Sequence, residues 1–201
     1  MLTDSQNGQV TDDTLVGHME PFYDEYRAYG RISEHQGKRK GSVAVPCHDF
    51  LSIPASHETT LEKDFGVSKW DRSAMESTLS PSQQQPFRAP VKDLVEAVDD
   101  VPASSRKLSG ILRDLRELCR MGVYPMDVCA HKYRGCRLVD FSVAWTPHFM
   151  FRIRPRWQAD GLYKRLDLVY FDAMVEELGV STTVKATPNQ EYNKKLRPKK
   201  R

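Results

Sequence analysis

The chain of 201 residues lacks long apolar runs, and this shortage restricts what it can be. No segment approaches the roughly 18 consecutive apolar residues of a membrane-spanning helix. The first twenty residues are polar and acidic without an apolar centre, so they do not resemble a secretory signal. We therefore expect a cytosolic or nuclear protein that has no membrane partner.

Recognisable metal and phosphate motifs are also missing. The four cysteines form no C-x-x-C pair, and no histidine pair has zinc-finger spacing; they are Cys47, Cys119, Cys129 and Cys136. We expect four reduced thiols, no metal and no cofactor. There is no G-x-G-x-x-G, and Gly37–Ser42 does not fit the phosphate-binding loop G-x-x-x-x-G-K-[ST].

Basic charge is concentrated at one end of the chain. The net charge of +3 is too small to indicate nucleic-acid binding. The final residues, however, include a run of basic side chains: Lys194, Lys195, Arg197, Lys199, Lys200 and Arg201. Such a run is typical of a nuclear import signal or an anion-binding tail, and the plain alternative is a solvated, disordered end. Nucleic acid is not expected as a partner except through this tail.

Apolar periodicity predicts most of the elements. We expect a helix from Pro21 with Phe22, Tyr26 and Tyr29 in the core, strands at Val43–Ile53 and Phe87–Val91, a helix over Ser105–Met121, a hairpin turning at Arg134–Cys136, and a helix from an Asp160 cap to Leu178. One shared core is predicted for Leu112, Leu115, Leu118, Leu138, Phe141, Phe171 and Met174.

The order of motifs after the predicted helix Ser105–Met121 resembles the catalytic segment of protein kinases. There, H-R-D-x-x-x-x-N is followed by a hairpin and D-F-G, because one Asp orients the attacking hydroxyl while the Asn and the second Asp hold metal ions. Aligned in this way, Asp127 takes the catalytic-loop position and Asp140 the metal-binding position. Lys132 stands where Asn is required, and Ser142 replaces the glycine. No residue is therefore assigned a catalytic role.

Two further acids complete the likeness. Asp167 begins a segment that resembles the kinase helix supporting the catalytic loop, and Glu25 occupies the position that would pair with a phosphate-gripping lysine. No such lysine is evident, so we expect Glu25 to be a surface acid. We also expect the Lys132 ammonium to replace a metal cation by pairing with Asp140, and secondarily with Asp127. The alternative is a Lys132 side chain that points into solvent.

The phrases Pro21–Ile32, Leu112–Leu115, Met121–Tyr124 and Tyr133–Ser142 carry a closer resemblance. They are similar to a group of filamentous-fungal proteins classed with the Fta-type subunit of the inner kinetochore, many of which show this kinase-like layout. The resemblance covers about Pro21 to Leu178. It implies a chromatin-associated, non-catalytic role with protein partners.

Together these patterns predict an α+β fold, an incomplete protein-kinase-like domain with disordered termini. We place disorder at 1–19, the domain at 20–180 with its partial N-lobe at 20–100 and partial C-lobe at 101–180, and a basic disordered tail at 181–201. The expected function is a nuclear, kinetochore- or chromatin-associated scaffold. The alternative is a divergent or truncated protein kinase or ATP-binding protein, whose upstream glycine-loop lobe a truncated gene model would have left out of this sequence.

Overall fold

The structure, a computed structural model, describes residues 21–36, 42–66, 78–80, 82–95, 105–146 and 156–187. Within these ranges the helices are α1 (Pro21–Gln36), α2 (Glu58–Phe65), α3 (Ser105–Met121) and α4 (Arg156–Glu177), and the strands are β1 (Cys47–Ile53), β2 (Phe87–Lys92), β3 (Tyr133–Arg134) and β4 (Arg137–Leu138). The mixed α+β class is confirmed. The predicted disorder at 1–19 and the basic residues 194–201 lie outside the described residues.

The chain divides into two compact units at positions other than the boundary expected near residue 100. One unit is Pro46–Asp93, and the other combines Met1–Val45 with Leu94–Arg201. Helix α1, which we had assigned to a partial N-lobe, thus belongs to the same unit as α3 and α4. The kinase-like division into two lobes remains a proposal.

Helix α3 forms the centre of the larger unit. It buries an apolar stripe at spacings of three and four residues, which places the stripe on one face: Leu108, Ile111, Leu112, Leu115 and Leu118. Helix α4 contributes Phe171 and Met174 to the same cluster, and the hairpin region contributes Leu138 and Phe141. The core predicted from the sequence, with all seven of its members, is therefore confirmed.

The β3–β4 hairpin is held in place by a tight turn and by the segment before β1. Gly135 and Cys136, at the turn, have φ angles of 53° and 65°. Two successive positive φ angles are typical of the type I′ turn, whose twist matches that of the flanking strands. The Val45 N–H donates to the Leu138 carbonyl at 3.0 Å. The pairing ends at Leu138, which lies opposite Tyr133.

Helix α4 begins at Arg156, so Asp160 lies inside it and does not cap it as predicted. Past its end, Gly179 has a φ of 63°, as expected of a residue that terminates a helix. Residues 181–187, which we had assigned to the tail, are connected to α4 by hydrogen bonds. The Asp172 carboxylate accepts the N–H groups of Ala186 and Thr187 at 2.7 and 2.9 Å, and Ala186 is buried in the core.

The smaller unit is built on the antiparallel pair β1–β2. Phe50 lies opposite Pro90, and the register shifts between Cys47 and Asp49, just after Pro46. Helix α2 follows β1 after a short 3₁₀ turn, Ala55–His57. Both strand predictions are therefore confirmed in outline, although β1 starts four residues later than expected.

Helix α1 turns a different face inward from the one predicted. It extends past Gly30 to Gln36, and its buried residues are Glu25, Ala28 and Ile32. Tyr26 is 59% exposed and stacks on Phe22, so the predicted aromatic core stripe is wrong for Tyr26. The prediction failed because it followed the aromatic side chains, whereas the inward face of α1 carries the Glu25 carboxylate. A periodicity analysis counts a carboxylate as polar and therefore does not assign that face to the core.

None of the helices in the described part of the chain combines the length and the apolar character that a bilayer crossing requires.

The orientation of α1 can be tested with two substitutions. Ile32→Ala should lower the free energy of unfolding by about 2–4 kcal/mol, because it opens a cavity in the core. Tyr26→Ala should change it by less than about 1 kcal/mol, because the ring is largely solvated. Denaturant unfolding of both variants measures the difference, and a larger loss for Tyr26→Ala would contradict the described packing.

Candidate functional site

The loop between α3 and the β3–β4 hairpin begins at a well-defined helix end. Gly122 has a φ of 75°, and the Val123 N–H donates to the Leu118 carbonyl at 2.9 Å, which together make a Schellman end. Tyr124 and Trp145 then exchange backbone hydrogen bonds of 2.9 and 2.8 Å. Both ends of the region that contains Asp127 and Asp140 are thereby fixed.

A buried carboxylate on α4 supports this loop. The Met126 N–H donates to Asp167 Oδ1 at 2.9 Å, across 41 residues of sequence. Met126 has a φ of 63°, an unusual backbone conformation for a residue with a side chain. Such a conformation persists only when its surroundings enforce it. The hydrogen bond that Asp167 accepts from the Met126 N–H therefore holds the loop in this shape.

Asp167 has an unusual electrostatic environment. It is 0% exposed, and among the described residues its Oδ2 atom has no hydrogen-bond partner. Burial raises the pKa of Asp167 to about 7, and the Met126 N–H opposes this only in part. The carboxyl group is therefore protonated over much of the mildly acidic range.

Lys132 lies between the two loop aspartates. Its Nζ atom forms an ion pair with Asp140 and lies 3.5 Å from Asp127 Oδ2. The Lys132 side chain is only 17% exposed, so the contact is partly shielded from water. The pairing expected from the sequence is present, and the alternative of a lysine directed into solvent is wrong.

The charges of this ion pair stabilise each other. Burial by itself would raise the pKa of Asp140, but the hydrogen bonds from Lys132 and Ser142 outweigh it and hold that pKa below its usual value. Burial likewise would lower the pKa of Lys132, and its two carboxylate neighbours raise it instead. Both groups therefore remain charged in the folded protein near neutral pH.

Glu25 joins α1 to the segment after Asp140. It is 7% exposed, and its carboxylate accepts the Phe141 N–H at 3.2 Å. Phe141 is fully buried and packs edge-on against Tyr29, with ring centroids 5.2 Å apart. The expectation that Glu25 is a surface acid is therefore wrong, because the buried N–H of Phe141 is its partner. The two residues are 116 positions apart, so nothing in the sequence indicated this contact.

Sequence reasoning overlooked two side chains beside Asp127. Cys129 Sγ lies 3.2 Å from Asp127 Oδ1 and 3.5 Å from His131 Nε2. Burial and the neighbouring Asp127 raise the pKa of the Cys129 thiol to about 11. The only signal in the sequence is the spacing D-x-C-x-H, which matches none of the common metal-binding motifs.

The aromatic and basic residues from Trp145 to Trp157 are only partly placed. Trp145 packs against Tyr163, with ring centroids 4.6 Å apart, which favours a packed role for that ring. The side chains of Phe149, Phe151, Arg152, Arg154 and Trp157 lie outside the described residues, as does the basic tail.

Fold and site together define an α+β domain in which carboxylates on two helices and a lysine fix one loop against one hairpin. The family is shown by comparison: residues 2–145 match the family described as kinetochore Sim4 complex subunit FTA2, and the chain belongs to that family. The resemblance to Fta-type kinetochore subunits is therefore confirmed. Neither a curated protein nor a solved structure matches the chain significantly.

The raised pKa of Asp167 predicts a particular pH dependence of stability. The folded state holds a proton that the unfolded state releases near pH 4, so the free energy of unfolding should fall as pH rises from about 4 to about 7, by up to roughly 1.4 kcal/mol per pH unit. Asp167→Asn keeps an acceptor oxygen for Met126 and cannot ionise. Its stability relative to the wild type should rise across this interval in denaturant unfolding measured from pH 4 to pH 8.

Asp167→Ala is the matched control for this measurement. It removes the acceptor and should lower stability by about 1–3 kcal/mol even at pH 5, because the Met126 N–H loses its partner. Parallel stability profiles for the wild type and Asp167→Asn would show that Asp167 is ionised throughout.

Proposed function

We propose that this chain is a non-catalytic interaction domain of a kinetochore complex, built on a degenerate kinase-like core. Membership of the family described as kinetochore Sim4 complex subunits supports a scaffold role among protein partners at the kinetochore. The kinase-like core is inferred from the arrangement of the site residues.

The observation that carries the non-catalytic part of the proposal is the position of Lys132. In an active kinase, two loop carboxylates and an Asn hold magnesium ions, which neutralise the phosphates in the transition state. Here Asp127 and Asp140 share an ammonium group, with the closer contact to Asp140. A magnesium ion at the same place would meet a fixed positive charge, so phosphate binding through a metal is opposed.

Two further contacts favour the kinase-like interpretation of the scaffold. The buried carboxylate of Asp167 supports the loop from a helix, in the role that the resemblance implies for it. Glu25 contacts the backbone of Phe141, directly after the Asp140 position that corresponds to the D-F-G aspartate. In this proposal the acids of a former active site act as structural ties, and the loop they fix offers a rigid surface to partners.

A kinetochore role implies a nuclear location. The basic residues 194–201 are the candidate import signal, and their role stays a proposal because they lie outside the described residues. A cytoplasmic location is the alternative.

A divergent phosphotransferase or nucleotide binder is the second candidate, because Asp127 and Asp140 are both retained and face one cation. Incubating the purified chain with magnesium and labelled ATP separates the two. Robust autophosphorylation that disappears in Asp127→Asn would favour this candidate over the scaffold.

Lys132→Met tests whether the ammonium group holds the loop. The substitution should lower the free energy of unfolding by about 1–3 kcal/mol, because it leaves a partly buried carboxylate without its cation. Adding Asp140→Asn to it should restore part of the loss, which a double-mutant cycle of denaturant unfolding measures. Lys107→Met, at an exposed position on α3, is the matched control and should change stability by less than about 0.5 kcal/mol. Equal effects at both lysines would refute a structural role for the pair.

The scaffold role predicts where the protein is found. A fluorescently tagged chain in its own cells should form nuclear foci that coincide with centromeres, and it should co-purify with other subunits of the Sim4 complex. Deleting residues 194–201 should abolish nuclear entry, and adding an unrelated import signal to that deletion should restore the foci. A nuclear protein that never concentrates at centromeres would contradict the kinetochore role without affecting the import assignment.

A further inference from the structure

Three side chains of different chemistry converge on one point beside the loop. Asp127 supplies a carboxylate oxygen, Cys129 a sulfur and His131 a ring nitrogen, and these three atoms lie within 4.8 Å of one another. The residues alternate along the chain, so a short stretch of backbone presents all three. Oxygen, sulfur and nitrogen are the donor atoms that zinc accepts in proteins.

The spacing of these atoms fits a tetrahedral ion. Zinc binds thiolate sulfur at about 2.3 Å and imidazole nitrogen or carboxylate oxygen at about 2.0–2.1 Å, and at the tetrahedral angle these bonds separate a sulfur from either lighter atom by about 3.5 Å. The observed separations from Cys129 Sγ are 3.5 Å to His131 Nε2 and 3.2 Å to Asp127 Oδ1. The third separation, between a carboxylate oxygen of Asp127 and a ring nitrogen of His131, is at most 4.8 Å, and His131 is exposed.

The backbone holds the three residues in this arrangement. The Lys132 N–H donates to the Cys129 carbonyl at 3.1 Å, which closes the 3₁₀ turn Ala130–Lys132. Arg134 donates to the His131 carbonyl at 3.2 Å. Lys132 Nζ lies near the other oxygen of Asp127, Oδ2, and leaves Oδ1 directed at the sulfur. Such outer contacts orient metal ligands before the ion arrives.

The charges also suit a divalent cation. Once Cys129 has lost its proton to bind a metal, its thiolate and the Asp127 and Asp140 carboxylates carry three negative charges, and Lys132 supplies one positive charge. A zinc ion on the Cys129 side would bring the cluster to neutrality. The ammonium group stays on the Asp140 side, where it excludes magnesium from the place that a kinase would use.

We propose that Asp127, Cys129 and His131 bind a zinc ion, with water as the fourth ligand. On binding, the Cys129 thiol releases its proton to solvent as the zinc–sulfur bond forms. The site is independent of the proposed kinetochore role, and it would fix the loop through a second set of contacts besides Asp167.

Cobalt(II) is the probe for this site, because it replaces zinc and reports thiolate bonds by absorption. The full chain, purified without a histidine tag, should bind one cobalt ion with thiolate charge-transfer absorption and the intense visible bands of tetrahedral coordination. Excess zinc should remove both. Competition with a chromophoric chelator should show zinc affinity about 100-fold weaker or worse in Cys129→Ser and His131→Ala, because losing even an outer partner of a ligand costs roughly 10- to 100-fold.

Cys136→Ser is the matched control, since Cys136 is a partly exposed thiol of the nearby hairpin outside the cluster. It should retain the cobalt spectrum and the zinc affinity. His131→Ala alters an exposed side chain, so circular dichroism should show an intact fold and make its loss of affinity interpretable even if Cys129→Ser misfolds. Absence of a thiolate band, or a band that survives His131→Ala at full affinity, would overturn the proposal.

Discussion

The hydrogen bond from the Met126 N–H to the buried carboxylate of Asp167 is the contact on which the site depends. It holds a residue with a φ of 63° directly before Asp127. The bond has an electrostatic cost, because full burial disfavours the charged carboxylate and raises its pKa to about 7. The fold retains an expensive group at this position because an uncharged side chain without an acceptor would leave both a strained backbone and a buried N–H unsupported.

Three other acids of this unit also accept hydrogen bonds from backbone N–H groups. Glu25 accepts the Phe141 N–H, Asp140 accepts the Ser142 N–H at 2.8 Å, and Asp172 accepts two N–H groups of the segment after α4. Glu25 and Asp172 each connect their helix to a segment farther along the chain, and Asp140 bonds to the turn that follows it. Carboxylates therefore act as structural connectors in this unit, and charge-assisted bonds of this kind are stronger than bonds between neutral groups.

This use of carboxylates links the fold to the proposed roles. A loop secured by Asp167, Glu25 and Lys132 has little freedom to rearrange, which suits a binding surface better than a site that must open for substrate. The same rigidity brings Cys129 and His131 close to Asp127, so the proposed zinc site follows from the geometry that opposes magnesium. Family membership places this domain among kinetochore subunits.

The sequence by itself determined α3, the hairpin turn, the β1–β2 strands in outline and the shared core, because these depend on local periodicity and on glycine at positive φ. It also indicated the pair of Lys132 with Asp140, through the order of motifs. Tertiary structure decided the inward face of α1, the burial of Glu25 and the convergence of Cys129 and His131 on Asp127. The first two outcomes depend on contacts between segments distant in sequence, and the third depends on the local turn around Ala130–Lys132. Neither kind of contact leaves a periodic trace in the sequence.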